Sequence, residues 1–225
     1  MLCWCARENC DGDVARAQLT TVRRTVAHCL GSPVRCPALQ KVVLVGDSAG
    51  GNLVMSVAIM LGMEQRLRMP TALCAAYPCL SLDMTPSPSR LLSLMDPLLS
   101  FNALELCLAS YLPLSHGEAV GTSTSQPSCG RMPEAALSPL RASDEQLRTL
   151  PPMMLAAASF DPLLDDSVSF VKRCDRAGAR CHYVVFDGLP HGFLSFNPLL
   201  QPVIDAVRQC ASWMKQFTSG TPLLS

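Results

Sequence analysis

Four short runs of apolar residues, separated by longer segments with helical spacing, dominate the hydrophobic pattern of this chain. The runs are Val42–Val45, Thr71–Ala76, Met153–Ala158 and Cys181–Phe186. Proline, glycine or polar residues bound these runs, which predicts buried strands. Strands that alternate with helices in this way form a parallel sheet covered by helices. The pattern therefore predicts an α/β fold, with functional residues at the carboxyl ends of the strands.

Apolar residues recur at helical intervals between the predicted strands. We predict helices over residues 13–29, 51–63, 165–177 and 201–217. The leucine-rich segment Leu91–Leu112 predicts one or two further helices, broken at Pro97. Such a stripe is either a cap that contacts lipid or ordinary internal packing, and packing is the more common arrangement.

The turn between the first strand and its helix, Gly46-Asp47-Ser48-Ala49-Gly50, fits the G-x-S-x-G pattern. In that pattern a serine lies on a tight strand-to-helix turn, and we expect both flanking glycines to be required because a Cβ would not fit. The turn exposes the Ser48 hydroxyl and aims the backbone N–H of Ala49 at the same point, where it can donate to an oxyanion. A plain glycine turn is the alternative, but the flanking strand and helix favour a nucleophile.

A serine nucleophile needs a base, and His191 is the histidine in the right place. Among the four histidines, His28 lies in the first predicted helix, His116 in a polar insertion and His182 within a strand. His191 follows the fourth strand, where the chain order of serine, acid and histidine requires the base.

The acid that orients the base is predicted at Asp161. This residue directly follows the third strand, and Pro162 keeps it out of the next helix. Asp187, at the end of the fourth strand, is the alternative acid. Asp165 and Asp166 have the positions of a helix N-cap and first turn, where carboxylates complement the helix dipole.

Composition narrows the class of protein. Net charge is zero with scattered basic residues, which argues against nucleic-acid binding, and 49% hydrophobic residues exclude general disorder. No run has the length of a membrane span, and Arg7 and Glu8 interrupt the start where a signal peptide would be apolar. The 12 cysteines lack zinc-site spacing and predict free thiols in a reducing cytosol. Four of them are predicted to be small buried hydrophobes: Cys74, Cys107, Cys174 and Cys210.

Several segments resemble the hormone-sensitive-lipase family of α/β-hydrolases. They are Gly46–Asn52 (GDSAGGN), Ser87–Leu99 (SPSRLLSLMDPLL), Asp161–Ser167 (DPLLDDS) and Leu189–Phe193 (LPHGF). The resemblance covers most of residues 41–193 apart from the insertion. It implies an α/β-hydrolase fold with Ser48 as nucleophile, Asp161 as acid and His191 as base. It further implies hydrolysis of lipid esters, such as acylglycerols or cholesteryl and retinyl esters, through an acyl-enzyme without metal or organic cofactor. The implied location is the cytosol and the lipid-droplet surface.

The sequence departs from that family in its first part. The family carries a His-Gly-Gly-Gly-type oxyanion loop and about half of its sheet before the nucleophile, whereas only about forty residues precede the first predicted strand here. We therefore interpret the chain as one partial catalytic domain that lacks the N-terminal strands. Its predicted segments are a helix and linker (11–40), the nucleophile turn and cap segment (41–114), a flexible insertion (115–150), and the part with the acid and histidine (151–218).

Two consequences are expected from this departure. The first strand becomes an apolar sheet edge that invites pairing with other chains. Each missing oxyanion donor lowers kcat by about 10²–10³-fold, so the chain alone is expected to be weakly active or inactive. The sequence thus leaves two functions open: a serine ester hydrolase, or a non-catalytic binding partner of the full enzyme. A peptidase or dehalogenase is disfavoured, because the nucleophile is serine and the segments around the acid and histidine resemble esterases.

Overall fold

A computed structural model describes residues 14–31, 41–64, 68–111 and 133–218. The strands are β1 (Val43–Asp47), β2 (Ala72–Ala76), β3 (Met153–Phe160) and β4 (Cys181–Pro190). The helices are α1 (Val14–Gly31), α2 (Ala49–Glu64), α3 (Phe101–Tyr111), α4 (Glu134–Leu137), α5 (Asp144–Arg148), α6 (Leu164–Ala177) and α7 (Gln201–Thr218). The predicted irregular start at residues 1–10, the 32–40 linker, His116, residues 115–132 of the insertion, and the end of the chain after residue 218 lie outside the described residues.

The strands form one parallel sheet in the order β1-β2-β3-β4, which confirms the predicted α/β fold. The register sets Val45 beside Cys74, Cys74 beside Met154, and Met154 beside His182. Three strands extend further than the sequence predicts. β1 runs to Asp47 and β3 to Phe160. β4 continues through the expected loop to Pro190, because a bulge in β3 lets Phe160 pair with Pro190.

Side chains alternate across the central strands and build one core on each face of the sheet. On one face Leu73 and Met153 pack with α2, α4, α5 and α6 around Phe170. On the other face Cys74 and Met154 pack with α7. α1 lies against α2 through a smaller cluster of Leu19, Val26, Leu30, Val57 and Leu61. Both faces of the sheet are therefore covered, as expected for parallel strands.

The prediction of a flexible insertion is wrong for residues 133–150. These residues form α4, a 3₁₀ turn over Pro139–Arg141, and α5, and they bury Ala136, Ala142 and Leu147 completely. Ser143 starts α5 with a capping box in which it exchanges hydrogen bonds with Gln146. The mostly polar composition of this segment suggested a loop. Its few apolar residues nevertheless pack between α2 and α6.

The expectation of internal packing for Leu91–Leu112 is also wrong for most of that segment. Arg90–Leu94 forms a 3₁₀ turn and α3 starts at Phe101. Leu104 and Leu108 are buried against Leu163, because a short helix turns one face to the domain. The large apolar side chains exposed in this segment are Leu91, Leu92, Leu94, Met95, Leu98, Phe101 and Leu106. We call these seven residues the apolar patch.

Among the described residues β1 lies at one edge of the sheet. β2 is buried along its length, whereas Val45 in β1 is 59% exposed. Free thiols are found at Cys74, Cys79, Cys107, Cys174, Cys181 and Cys210. Cys107 is exposed, contrary to the prediction that it is buried. No helix in the described part of the chain is long and apolar enough to cross a bilayer.

Candidate active site

Ser48 lies in a strained turn between β1 and α2. Its φ is 52°, in the left-handed region that residues with a Cβ rarely adopt. Its N–H donates to the carbonyl of Ala76 (2.9 Å), and its own carbonyl accepts from the N–H groups of Asn52 (3.1 Å) and Cys79 (3.3 Å). These bonds to β2, to Cys79 after it and to α2 hold Ser48 in this conformation, as at many functional sites.

The glycines of the turn differ in whether a Cβ would fit at their position. A Cβ at Gly46 would lie 2.3 Å from the Gly50 carbonyl oxygen, so this position requires glycine. A Cβ at Gly50 would meet a single neighbour, Asp47 Oδ1, at 4.0 Å, so the prediction that Gly50 is required is wrong. The second sterically required glycine is Gly51, where a Cβ would lie 2.7 Å from Pro78.

The structure brings together the three side chains predicted as nucleophile, base and acid. Ser48 Oγ lies 3.0 Å from His191 Nε2. His191 Nδ1 lies 3.1 and 3.0 Å from the two carboxylate oxygens of Asp161. Asp161 is 1% exposed and His191 8%, while Ser48 is half-buried. A carboxylate can only accept, so the Nδ1–H of His191 donates to Asp161, and Nε2 is left to accept from the serine hydroxyl.

Asp161, and not Asp187, is the carboxylate at the site. Each of the three residues follows the end of a strand, β1, β3 or β4, at the carboxyl edge of the sheet. The Leu163 N–H donates to Asp161 Oδ1 (2.8 Å) and fixes the carboxylate. Asp187 is exposed and instead accepts from the Ser159 hydroxyl at 3.0 Å.

Ala49, predicted to stabilise an oxyanion, is the first residue of α2 and is exposed beside Ser48. The N–H groups of the first helical turn have no acceptor inside the helix, so the Ala49 N–H is available to a ligand. The positive end of the α2 dipole lies at the same position, which favours negative charge there.

Asp165 and Asp166 lie in the first turn of α6, but the predicted N-cap is wrong, because Leu163 holds that position. Both carboxylates also bind the segment before α3. Asp165 Oδ2 accepts from the Ser89 N–H (2.7 Å), and Ser89 Oγ accepts from the Asp165 N–H (3.0 Å). Arg90 pairs with Asp166 at 2.8 Å, and both are buried. These contacts hold the 3₁₀ turn against the loop that carries Asp161.

The environment shifts the pKa values of both carboxyls. Burial raises the pKa of Asp166 to about 6, with Arg90 acting in the opposite direction. Burial alone would raise the pKa of Asp165, but the hydrogen bonds from Ser89 outweigh it and lower that pKa. The segments SPSR (residues 87–90) and DPLLDD (residues 161–166) therefore carry polar and charged residues partly because these residues bind each other.

Tyr77 is a site residue that the sequence reasoning missed. Its ring packs edge-on against the His191 imidazole (centroids 5.0 Å apart) and against Phe193 (4.9 Å). Its hydroxyl donates to Asp47 Oδ2 at 3.3 Å, and burial raises the pKa of the phenol, so it stays protonated. Its position directly after β2, at the same edge of the sheet, is the signal that could have found it.

A cavity of about 240 Å³ opens beside Ser48. Its lining is mostly apolar and comes from α1 through Gln18, from the turn after β1, from α2 and α3, and from the loops after β2 and β3. The residues that line it include Ser48, Ala49, Leu82, Leu99, Leu104, Leu108, Tyr111 and Leu163. Within the described ranges no group of three or more histidine, cysteine or acidic residues is placed to hold a metal ion. The site can therefore present a nucleophilic hydroxyl, with a base and an oxyanion donor, to an apolar ligand.

Comparisons with known proteins bear on the fold and the family of this chain. A family model described as alpha/beta hydrolase fold matches residues 23–195. Human hormone-sensitive lipase (Homo sapiens) is 47% identical over 88 residues, which cover 38% of this chain and 8% of that protein. An esterase of Acinetobacter venetianus is 31% identical over 156 residues, 69% of this chain and 46% of that protein.

A solved structure of an esterase from the bacterial hormone-sensitive lipase family superposes on 91% of this chain and 60% of that chain. The TM-score is 0.69 and the identity is 24%, so this likeness shows the shared fold. The chain therefore belongs to the α/β-hydrolase fold family. Within that family, part of the chain is similar to hormone-sensitive lipase. The chain spans less than half the length of the relatives reported above by sequence.

Proposed function

We propose that this chain is a serine ester hydrolase in which Ser48, His191 and Asp161 form the catalytic triad. The observation that carries the proposal is the continuous hydrogen-bonded chain from the serine hydroxyl through the imidazole to a buried carboxylate. This arrangement activates a hydroxyl that is otherwise a weak nucleophile. The residues also lie, in this order, in the motifs by which the sequence resembles the hormone-sensitive-lipase family.

The geometry supports a two-step reaction. Ser48 Oγ attacks the ester carbonyl carbon while its proton passes to His191 Nε2, and Asp161 stabilises the imidazolium that forms. The oxyanion develops next to the Ala49 N–H and the start of α2. The C–O bond to the alcohol breaks, and the alcohol leaves with the proton from His191. A water molecule then attacks the acyl-enzyme by the same route, releasing the acid and restoring Ser48.

Hydrolysis of p-nitrophenyl butyrate by the purified chain tests the proposal. We expect measurable turnover that is lost in Ser48→Ala and His191→Gln. The control His182→Gln changes an exposed histidine in β4, outside the site, and should retain turnover. Equal activity in wild type and Ser48→Ala would refute the proposal, provided circular dichroism shows that both are folded.

The second candidate is a catalytically silent chain that acts as a binding partner of a full-length enzyme. The observation that favours it is that the described site offers one assigned oxyanion donor, Ala49. Loss of one donor costs about 10²–10³-fold in kcat. A folded chain that binds an ester in calorimetry but hydrolyses no ester would favour this candidate.

We further propose lipid esters as substrates and a neutral lipid surface, such as a cytosolic lipid droplet, as the place of action. The cavity beside Ser48 is apolar, and the apolar patch flanks α3, which lines that cavity. The charged side chains between Leu91 and Leu106 are acidic, Asp96 and Glu105, so an uncharged surface suits the patch better than an anionic one. Free thiols among the described cysteines fit a reducing compartment.

Flotation with a triolein emulsion tests the lipid-surface proposal. Leu94 and Met95 in the patch are 69% and 90% exposed, and the double variant Leu94→Ser/Met95→Ser should bind the emulsion less. Leu199→Ser/Leu200→Ser is the matched control, because those leucines are 79% and 47% exposed before α7, outside the patch. Equal binding by both double variants would contradict the proposal.

Finally, we propose that the β1 edge mediates self-association. The edge carries exposed Val45 next to an apolar groove of about 450 Å³ between β1, α1 and α7. Val45→Lys should shift the chain toward monomer in sedimentation velocity, because a charge on an edge strand blocks pairing. Val185→Lys, at the β4 edge, is the control. An unchanged distribution in Val45→Lys would rule this interface out.

A further inference from the structure

One residue that lines the cavity beside Ser48 carries a buried side-chain hydroxyl without a hydrogen-bond partner. Leucine side chains make up much of the lining. The Asn52 amide, which also lines the cavity, is engaged, since it donates to the carbonyls of Cys79 (2.8 Å) and Leu137 (3.0 Å). Tyr111, near the end of α3, also lines the cavity, and its hydroxyl is enclosed without a hydrogen-bond partner in the structure.

An enclosed hydroxyl without a partner is unfavourable and uncommon in folded proteins. Burial raises the pKa of Tyr111, with a smaller contribution from Cys79, another residue of the cavity wall, so the hydroxyl is protonated and able to donate. The other unpartnered buried side-chain atoms among the described residues are Arg23 Nε and the Tyr183 hydroxyl. Neither residue is part of this cavity wall, so Tyr111 alone of these could serve a ligand there.

We propose that Tyr111 is a specificity-determining residue that hydrogen-bonds an oxygen atom carried by the substrate chain inside the cavity. The preferred substrates are then esters whose cavity-bound chain carries a hydroxyl or carbonyl group, rather than plain alkyl esters. A 150 Å³ apolar cavity holds benzene, so about 240 Å³ accommodates on the order of ten carbon atoms. This inference rests on the proposed function and deepens it from lipid esters to oxygenated medium-chain esters.

The physical basis is the difference between a paired and an unpaired hydroxyl. A plain alkyl chain in the cavity leaves the Tyr111 hydroxyl without any partner, whereas an oxygenated chain supplies one. A neutral hydrogen bond of ordinary strength corresponds to a preference of about 3- to 10-fold. The preference depends on where the oxygen lies along the chain, because the cavity wall fixes the hydroxyl.

The test compares esters that differ in one oxygen. One series has p-nitrophenyl octanoate beside its 5-, 6- and 7-oxo analogues, with the oxygen in the acyl chain. A second series has octyl acetate beside the oxo-octyl acetates, with the oxygen in the alcohol. We expect wild type to prefer one oxo ester by about 3- to 10-fold in kcat/KM in at least one series. The series that shows the preference identifies the part of the ester that occupies the cavity.

Tyr111→Phe should reduce that preference to about one. Tyr183→Phe is the matched control, since it removes an equally unpartnered buried hydroxyl from β4, and it should keep the preference. Thermal unfolding verifies that both variants are folded. No preference in wild type in either series, or an unchanged preference in Tyr111→Phe, would overturn the inference.

A binding measurement separates this inference from the proposed function. Calorimetry on Ser48→Ala, with and without Tyr111→Phe, measures the affinity for octyl acetate and the oxo-octyl acetates. It also measures the affinity for the ethyl esters of octanoate and of its 5-, 6- and 7-oxo analogues. Tighter binding of an oxo ester that depends on Tyr111 supports the inference even if wild type hydrolyses no ester, in which case only the proposed function fails. Equal affinities overturn the inference even if hydrolysis is observed.

Discussion

Replacing Gly46 with alanine should damage the site through the backbone of the nucleophile turn. The new Cβ would lie 2.3 Å from the carbonyl oxygen of Gly50 and 2.5 Å from its carbon, whereas ordinary contacts begin at 3.4 Å. The atoms must therefore separate by about 1 Å. Both neighbours are backbone atoms of α2, so no side-chain rotation relieves the clash. The movement shifts the start of α2, and with it Ser48, relative to His191.

A displacement of that size is costly because the Ser48–His191 distance is 3.0 Å, close to the optimum for proton transfer. Misplacement of reacting groups by 1 Å lowers the rate by about 100-fold. We therefore expect kcat for p-nitrophenyl butyrate to fall by about 100-fold in Gly46→Ala, with a smaller change in KM.

Gly50→Ala is the matched control in the same turn. The added Cβ meets one atom, Asp47 Oδ1, at 4.0 Å, and Gly50 has no positive φ, so we expect near wild-type activity. The unfolding free energy should rise by up to about 1 kcal/mol, as for glycine to alanine at a compatible site. Wild-type activity in folded Gly46→Ala, or equal losses in both variants, would refute the reasoning about the turn.

Three further predictions concern the acid and the network around α6. Asp161→Asn should lower kcat by about 10⁴-fold because the amide favours the wrong His191 tautomer, while Asp187→Asn stays near wild type; equal losses would reassign the acid. Arg90→Met should lower the unfolding free energy by about 3–5 kcal/mol in urea titrations, because buried Asp166 loses its partner; a loss below about 1 kcal/mol would contradict this. Asp166→Asn should flatten the pH dependence of stability, measured by urea unfolding between pH 4 and 7. The folded-state pKa of about 6 exceeds the ordinary 3.8, so the contribution of Asp166 is full below pH 4 and is lost as pH rises through 6; an unchanged pH profile would contradict the shift.

The sequence predicted the sheet and the positions of Ser48, Asp161 and His191 because both depend on local patterns. Apolar runs bounded by turn residues predict strands, and the carboxyl ends of parallel strands meet at one edge. The same rule does not separate Asp161 from Asp187, because both follow or end a predicted strand. The contact of Asp161 with His191 identifies the acid. Distances within the triad still needed the structure, because they depend on how β4 extends to Pro190.

The features that sequence reasoning missed depend on contacts between distant segments. Tyr77 meets His191 across more than a hundred residues of chain, and no periodicity encodes that pair. The requirement for glycine at Gly51 instead of Gly50 comes from Pro78, a residue after β2. The exposure of the apolar patch could not be predicted either, because a leucine-rich stripe has the same sequence pattern whether or not another surface covers it.

The most direct measurement of the central claim is labelling of the purified chain with a fluorophosphonate, followed by peptide mass spectrometry. The probe reacts with a serine whose hydroxyl is activated by a base, without requiring a particular ester. We predict one modified site, Ser48, with labelling abolished in Ser48→Ala and slowed in Asp161→Asn. A folded wild-type chain that stays unlabelled at Ser48 would contradict the account and leave the silent binding partner as the function.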